Sequence, residues 1–320
     1  MRTSVGLRAG HFVGSQLSGD PGRFTFQIEA ATRDGLARLL DAGAASEPGF
    51  SDKARELLGG ATRASMHALA HGLGFILVRG LPVVDRPLTD VMALYRAMGE
   101  ALGTPMQQNL DGDTLTHVRN EGDDPSNPEV RLYRTCAAQD FHTDGADVIG
   151  LLCLRGARVG GASRLVSSVR VFERMKELRP DLAELLLEPW FFHLPGGKAR
   201  GLPEAFPRPI VTVNGAKTET FFIPWYLERA QQLESVPRWS PKHAEAFTLY
   251  QQIVHEPELA LAMDFEPGDV QWLRNAYLLH ARDAYQDEAE PSKRRHLLRL
   301  WLSAGEIDDR TPRFEELQEG

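Results

Sequence analysis

The stretch Phe141-His142-Thr143-Asp144-Gly145 places an imidazole and a carboxylate two positions apart. If the stretch is extended, alternate side chains share a face, so His142 and Asp144 can point at one ion. Such a pair is two thirds of a facial site of two histidines and one carboxylate, the set that holds non-haem Fe(II) with coordination positions left open. Taken alone, a His-x-Asp is more often a polar turn than a pair of ligands. Geometry decides, and the chain carries a decoy: His243-Ala244-Glu245 has equivalent spacing. That pair follows Ser240-Pro241, which reads as an N-cap and first helical position. Residues two apart on a helix do not face one another, so the decoy cannot chelate and reads as a solvated helix face.

A mononuclear site needs a third protein ligand from elsewhere in the chain. The best candidate is His280, in Tyr277-Leu278-Leu279-His280-Ala281-Arg282. By default a histidine after two leucines is a satisfied core residue. The weighing changes because an upstream His-x-Asp, His280 and the downstream Arg294, Arg295 and Arg299 occur in that order in one chain.

Elements able to position these residues are legible from periodicity. Helical patterns run over Ile28–Leu40 and Asp52–Ala70, the second interrupted at Gly59-Gly60, and Val91, Tyr95, Met98 and Leu102 recur at helical spacing before Gly103, a plausible C′ stop. The apolar run Leu73–Gly80 fits a buried strand. From about residue 104 the pattern becomes short strands between Gly, Pro and Asp turns, as in an all-β sandwich or barrel. Expected strands are Leu115–Arg119, Val130–Thr135, Val148–Leu154, Ser163–Ser167, Ile210–Val213, Thr220–Ile223, Val270–Leu273 and His296–Leu302. Ser168 is expected to cap a helix that ends before Arg179-Pro180, with further helices near 224–233 and 241–255. Residues 194–209 hold four prolines and three glycines without periodicity and read as a structureless insertion, a lid or a plain surface excursion. The expected organisation is an N-terminal helical decoration (1–71), one β-rich domain (72–303) and a charged tail (304–320).

Composition bounds the function classes. At 320 residues the chain can bury a substantial core. A formal charge of −8 leaves no electrostatic footprint for nucleic acid. No apolar stretch approaches a bilayer span, and the first residues lack the apolar run of a signal peptide. The two cysteines, Cys136 and Cys153, are expected to be reduced and buried in a cytoplasmic protein.

The chain resembles the taurine dioxygenase/clavaminate synthase-like branch of the Fe(II)- and 2-oxoglutarate-dependent oxygenases. The resemblance covers roughly residues 72–303 and is carried by Phe141-His142-Thr143-Asp144, Gly160-Gly161-Ala162-Ser163, Gly268-Asp269, Leu279-His280-Ala281-Arg282 and Arg294-Arg295-His296-Leu297-Leu298-Arg299. It implies a mainly β, double-stranded β-helix core, cupin-like or jelly-roll, with helices packed outside. It also implies iron held by His142, Asp144 and His280, leaving positions for 2-oxoglutarate and O2. The distal carboxylate of the cosubstrate needs a planar, permanently charged partner, which favours arginine over lysine. Arg295 stands where the family places that residue. Ser163 stands where a threonine often assists, a departure that keeps the hydroxyl donor. In a strand, Arg299 shares a face with Arg295, and relatives use this second arginine for an anionic group of the substrate. Arg131, on the expected strand leading towards His142, is a candidate to supplement it.

The implied reaction is oxidation, with hydroxylation first, of a C–H in a small carboxylate or amino-acid-like substrate, releasing succinate and CO2. Related halogenases lack the carboxylate ligand, so Asp144 argues for hydroxylation; desaturation, epoxidation or ring closure would use the same ligands. Two other classes compete. A zinc hydrolase can use two histidines and a carboxylate, but no His-Glu-x-x-His helix is present, since His255-Glu256-Pro257-Glu258 has a proline and no second histidine. A non-catalytic protein on the same barrel would bind 2-oxoglutarate without consuming it.

Overall fold

Strand residues here alternate between two different apolar neighbourhoods, and that alternation builds two facing sheets. The structure, a computed structural model, describes residues 9–304 except 110, 128, 129, 199 and 200. The expected tail beyond Ala304 lies outside the described residues.

The larger sheet contains β1 (Thr25–Gln27), β2 (Phe75–Arg79), β3 (Thr104–Pro105), β4 (Leu115–Val118), β6 (Val148–Arg155), β14 (Val270–Arg274) and β17 (His296–Ser303), in the order β1-β2-β14-β6-β17-β3 with β4 also on β17. All its pairings are antiparallel except β1 with β2. The smaller sheet has the order β13-β8-β15-β5, formed by β5 (Gln139–His142), β8 (Ser163–Ser167), β13 (Leu261–Met263) and β15 (Leu278–Arg282), all antiparallel. Short pairs complete the β-structure: β7 (Val159–Gly160) with β16 (Tyr285–Gln286), β9 (Pro189–His193) with β10 (Ala205–Pro209), and β11 (Val211–Asn214) with β12 (Lys217–Thr220).

On the larger sheet, Ile76, Val78, Leu152, Val270, Trp272, Leu298, Leu300 and Leu302 face α1 (Ala30–Asp41), α2 (Phe50–Leu57), α3 (Gly59–His71) and α4 (Leu88–Glu100). The intervening Phe75, Leu77, Ile149, Leu273 and Trp301 turn inward to meet Leu165, Leu261 and Leu278 of the smaller sheet. The outer face of that sheet, with Phe141, Val166 and Leu279, packs under α5 (Ser168–Leu178), α6 (Pro180–Leu185), α7 (Pro224–Ala230) and α8 (Pro241–Val254). This is a double-stranded β-helix, or jelly-roll, with a helical layer on each outer face. Among the described residues no helix is long and apolar enough to cross a membrane.

Several local expectations are corrected. Val130–Thr135 is not a strand: Leu132–Arg134 form a 3-10 turn, and the carbonyls of Leu132, Thr135 and Ala137 accept from the Arg282 guanidinium instead of a strand partner. Residues 194–209 are not structureless throughout, because Ala205–Pro209 pair with Pro189–His193, and the rings of Phe192 and Phe206 stack at 5.7 Å. Pro207 and Pro209 are tolerated because β10 has a single partner and needs fewer ladder donors. The second strand of the next hairpin is Lys217–Thr220, not Thr220–Ile223, because a two-residue turn at Gly215-Ala216 fixes the register at Asn214↔Lys217. The cap of α5 is Ser167, whose hydroxyl accepts from the Arg170 N–H at 3.1 Å, one residue before the expected Ser168. Gly103 has no left-handed backbone; a Cβ there would sit 2.5 Å from the Ser303 carbonyl, so close approach of β17 requires the glycine. Cys136 is exposed, and only Cys153 is buried.

Candidate metal centre and cosubstrate pocket

His142 closes β5, and His280 lies directly opposite it in register on β15. Cross-strand partners have Cβ atoms about 5 Å apart, close enough for two imidazoles to share one ion. Their ring centroids are 4.2 Å apart. A β-bulge opposite Ala281 makes the register shift from His280↔His142 to Arg282↔Gln139. Bulges re-aim side chains beside functional sites, and here Gln139 and His142 come together, Nε2 to Nε2, at 3.0 Å.

Asp144 follows the end of β5, so no sheet ladder holds it. Asn275 does so instead: the Asp144 N–H donates to Asn275 Oδ1 at 2.8 Å, and Asn275 Nδ2 donates to the Asp144 carbonyl at 2.6 Å. The carboxylate then lies with Oδ1 3.6 Å from His142 Nε2 and Oδ2 3.6 Å from His280 Nε2. Ligand atoms of His142, Asp144 and His280 all fall within 4.8 Å of one another, the one such cluster of three among the described residues. The decoy is on α8, where His243 Nδ1 meets the Ser240 hydroxyl and Glu245 pairs with Arg179.

Electrostatics favour a cation. Burial opposes ionisation of Asp144, but the Arg299 guanidinium, with the imidazoles of His142 and His280 beside it, holds its carboxyl well below the usual range. Burial, then the neighbouring His142, push the His280 imidazole below its ordinary value, which favours the neutral form that ligates metals. The Nδ1–H of His142 donates to the Asp140 carbonyl at 2.7 Å, leaving the Nε2 lone pair to face Asp144. Two imidazoles and one carboxylate, buried and with ligand atoms this close together, fit Fe(II).

The arginines occupy distinct places. Arg295 is 5% exposed, lies 4.9 Å from the Tyr285 ring, and has a buried Nη1 with no hydrogen-bond partner. An orphaned guanidinium N–H in a dry pocket is suited to a ligand carboxylate. Ser163, also buried, donates its hydroxyl to Gln271 Oε1 at 3.2 Å. Arg299 is partly committed: Nε donates to Gln108 Oε1 at 2.7 Å, and Nη1 lies 3.6 Å from Asp144 Oδ2. Arg131 is exposed, yet its charge is near enough to oppose that of Arg299.

Sequence reasoning missed Asn275, Gln108, Gln139 and Trp301. Trp301 carried the only available signal: two residues beyond Arg299 on a strand, it had to share that arginine's face.

A family model described as taurine catabolism dioxygenase TauD, TfdA family matches residues 36–301. FR-33289 synthase of Streptomyces rubellomurinus is 29% identical over 239 residues, 73% of this chain and 70% of that protein. A uridine-5′-phosphate dioxygenase of an Amycolatopsis species is 29% identical over 251 residues, 71% of this chain and 86% of its own. A solved asparagine oxygenase, in complex with Fe(II), 2S,3S-3-hydroxyasparagine and succinate, superposes with a TM-score of 0.66 at 17% identity, covering 88% of this chain and 94% of that one. Fold, buried triad and family match agree: the chain belongs to the TauD/TfdA family of non-haem iron, 2-oxoglutarate-dependent dioxygenases.

Proposed function

We propose that this enzyme hydroxylates an unactivated C–H of a small anionic or amino-acid-like substrate, with His142, Asp144 and His280 holding Fe(II) and Arg295 anchoring 2-oxoglutarate. The observation that carries the reading is the buried triad, its ligand atoms within 4.8 Å of one another. Iron held there would let O2 act as the oxidant, one oxygen atom going to 2-oxoglutarate as it leaves as succinate and CO2 and the other to the substrate as its C–H becomes C–OH.

The protein's own groups do the positioning. The Asp140 carbonyl orients the His142 ring by accepting its Nδ1–H, which turns Nε2 towards Asp144 as the ligating nitrogen. Arg299 keeps Asp144 ionised. Arg295 offers its unpartnered Nη1 to the distal carboxylate of the keto acid, with the Ser163 hydroxyl as a second donor once it turns from Gln271. Arg299 and Arg131 put positive charge on the substrate side of the carboxylate ligand. A phosphate-bearing substrate is named for one relative and a hydroxylated amino acid is bound in one structural neighbour, and both suit such a charge. Two free cysteines fit a reducing compartment, so we assign the protein to the cytoplasm.

The test is succinate release under air with ferrous iron and 2-oxoglutarate, across amino acids, small carboxylates and uridine-5′-phosphate. One class should raise succinate above the substrate-free rate, and Asp144→Ala should abolish the increase while its circular dichroism spectrum stays native. Full turnover by Asp144→Ala, or succinate release that needs neither iron nor oxygen, overturns the assignment.

A further inference from the structure

The carboxylate of Asp144 has an orientation problem that its backbone does not solve. Asn275 fixes the peptide groups on both sides of the residue, but the terminal torsion of an aspartate is broad and roughly two-fold. Each imidazole lies 3.6 Å from one oxygen of the carboxylate, beyond hydrogen-bond distance. A turn about that torsion would swing one oxygen away from its histidine. Something beyond the two histidines has to hold the plane.

Trp301 does so from the opposite sheet. Its indole Nε1–H donates to Asp144 Oδ2 at 3.0 Å, across a sequence separation of 157 residues. The indole is itself restrained: it packs against the inner core that includes Phe75, Ile149 and Leu273, and the Arg299 guanidinium lies 4.8 Å from its ring. Trp is a donor only and has two torsions, so a packed indole presents one N–H in one direction. Arg299 approaches the same oxygen but more loosely, at 3.6 Å, with its Nε already given to Gln108. The directional restraint on the carboxylate therefore comes from the tryptophan.

We propose that Trp301 is a positioning residue that sets the plane of the Asp144 carboxylate before any metal arrives, so that the triad is pre-organised across the two sheets. The proposal rests on the reading that this triad is the metal site. Groups of this kind tune metal sites strongly, typically by tenfold to a hundredfold in affinity. Losing the N–H while keeping the ring should free the carboxylate to rotate and change the coordination of whatever ion it binds.

The experiment uses the full chain with Co(II) as an optical probe, titrated anaerobically, and two replacements at one position. Trp301→Phe removes the donor and part of the ring. Site-specific benzothienylalanine removes only the N–H, since sulfur replaces nitrogen in a ring of nearly the same shape. Both should weaken Co(II) binding by about tenfold to a hundredfold and alter the visible ligand-field absorption, with native circular dichroism. Weakening by Trp301→Phe but not by the benzothienyl isostere would assign the effect to packing and overturn the proposal. Unchanged affinity and spectrum in both would overturn it as well. Wild-type protein that binds no Co(II) or Fe(II) would instead remove the metal-site reading on which it stands.

Discussion

Arg295 carries a permanent charge into a place that water barely reaches, and the room for it is set by a residue that lacks a side chain. A Cβ on Gly161 would lie 3.1 Å from Arg295 Nε, so the glycine leaves the guanidinium free to lie along the backbone there. Burial disfavours the charge, and its buried Nη1 has no hydrogen-bond partner. Arg295→Lys keeps the charge and loses the planar fork. A hydrogen bond to a charged group contributes about 1.5–3 kcal/mol, so KM for 2-oxoglutarate should rise roughly tenfold to a hundredfold, while Fe(II) affinity, measured without cosubstrate, stays at the wild-type value. Equal KM values would remove Arg295 from the pocket. At this scale the sequence is informative where residue type is itself the chemistry: His142, Asp144 and His280 stand out because imidazoles and carboxylates ligate metals, and the structure gathers them. Asn275, Gln108 and Trp301 act through other side chains, and their types are ordinary in a core or a turn. Three-dimensional neighbourhood reveals Asn275 and Gln108, whereas Trp301 could have been placed on Arg299's face from strand alternation.

β17 shows how one strand serves two layers. Leu298, Leu300 and Leu302 go to the helices, while Leu297, Arg299 and Trp301 go inward. The alternation that buries Leu298 also turns His296 outward, where His117 Nδ1 on β4 meets His296 Nε2 at 2.8 Å and Arg155 approaches from β6. Burial, then the charges of His117 and Arg155, push the His296 imidazole down to about 3. The folded protein therefore keeps His296 neutral where the unfolded chain, at about 6.5, takes up a proton. The unfolded state binds more protons between these values, so stability is complete above about pH 6.5 and is lost as pH falls towards 3. His296→Gln should make the loss of urea stability between pH 7 and pH 5 shallower than in the wild type; an equal slope would place the acid sensitivity elsewhere. Element types were legible where periodicity was long, as in α4 or β6. They failed where tertiary partners decide: Val-Arg-Leu-Tyr-Arg-Thr alternates like a strand at 130–135, but Arg282 takes its carbonyls, and the hairpin after Asn214 is set by its turn.

Across the whole molecule, the site lies between the sheets, and the outer helical layer reaches it at Trp225 of α7, whose ring lies 5.0 Å from that of His142, and through Thr143. Thr143, between His142 and Asp144 and just beyond β5, donates its N–H to the Phe222 carbonyl at 2.8 Å, and its hydroxyl oxygen accepts from the Phe222 N–H at 3.0 Å. Phe222 follows β12 and leads into α7, and its ring packs on Tyr250 of α8 with centroids 4.7 Å apart. Packing in the layer of α5–α8 is thereby coupled to the spacing of His142 and Asp144. Thr143→Val keeps the side-chain volume and the backbone bond but leaves the buried Phe222 N–H without its acceptor. An unsatisfied buried donor costs about 1–3 kcal/mol, so the denaturant midpoint should fall with an unchanged slope. Fe(II) affinity should fall with it, because the segment carrying His142 and Asp144 has lost the side-chain bonds that Thr143 makes to Phe222. Thr143→Ser retains the oxygen and should restore both quantities to near wild type. If the valine variant unfolds at the wild-type midpoint and binds iron as tightly, the outer layer and the metal site are mechanically independent, and the ladder between Thr143 and Phe222 is only local packing.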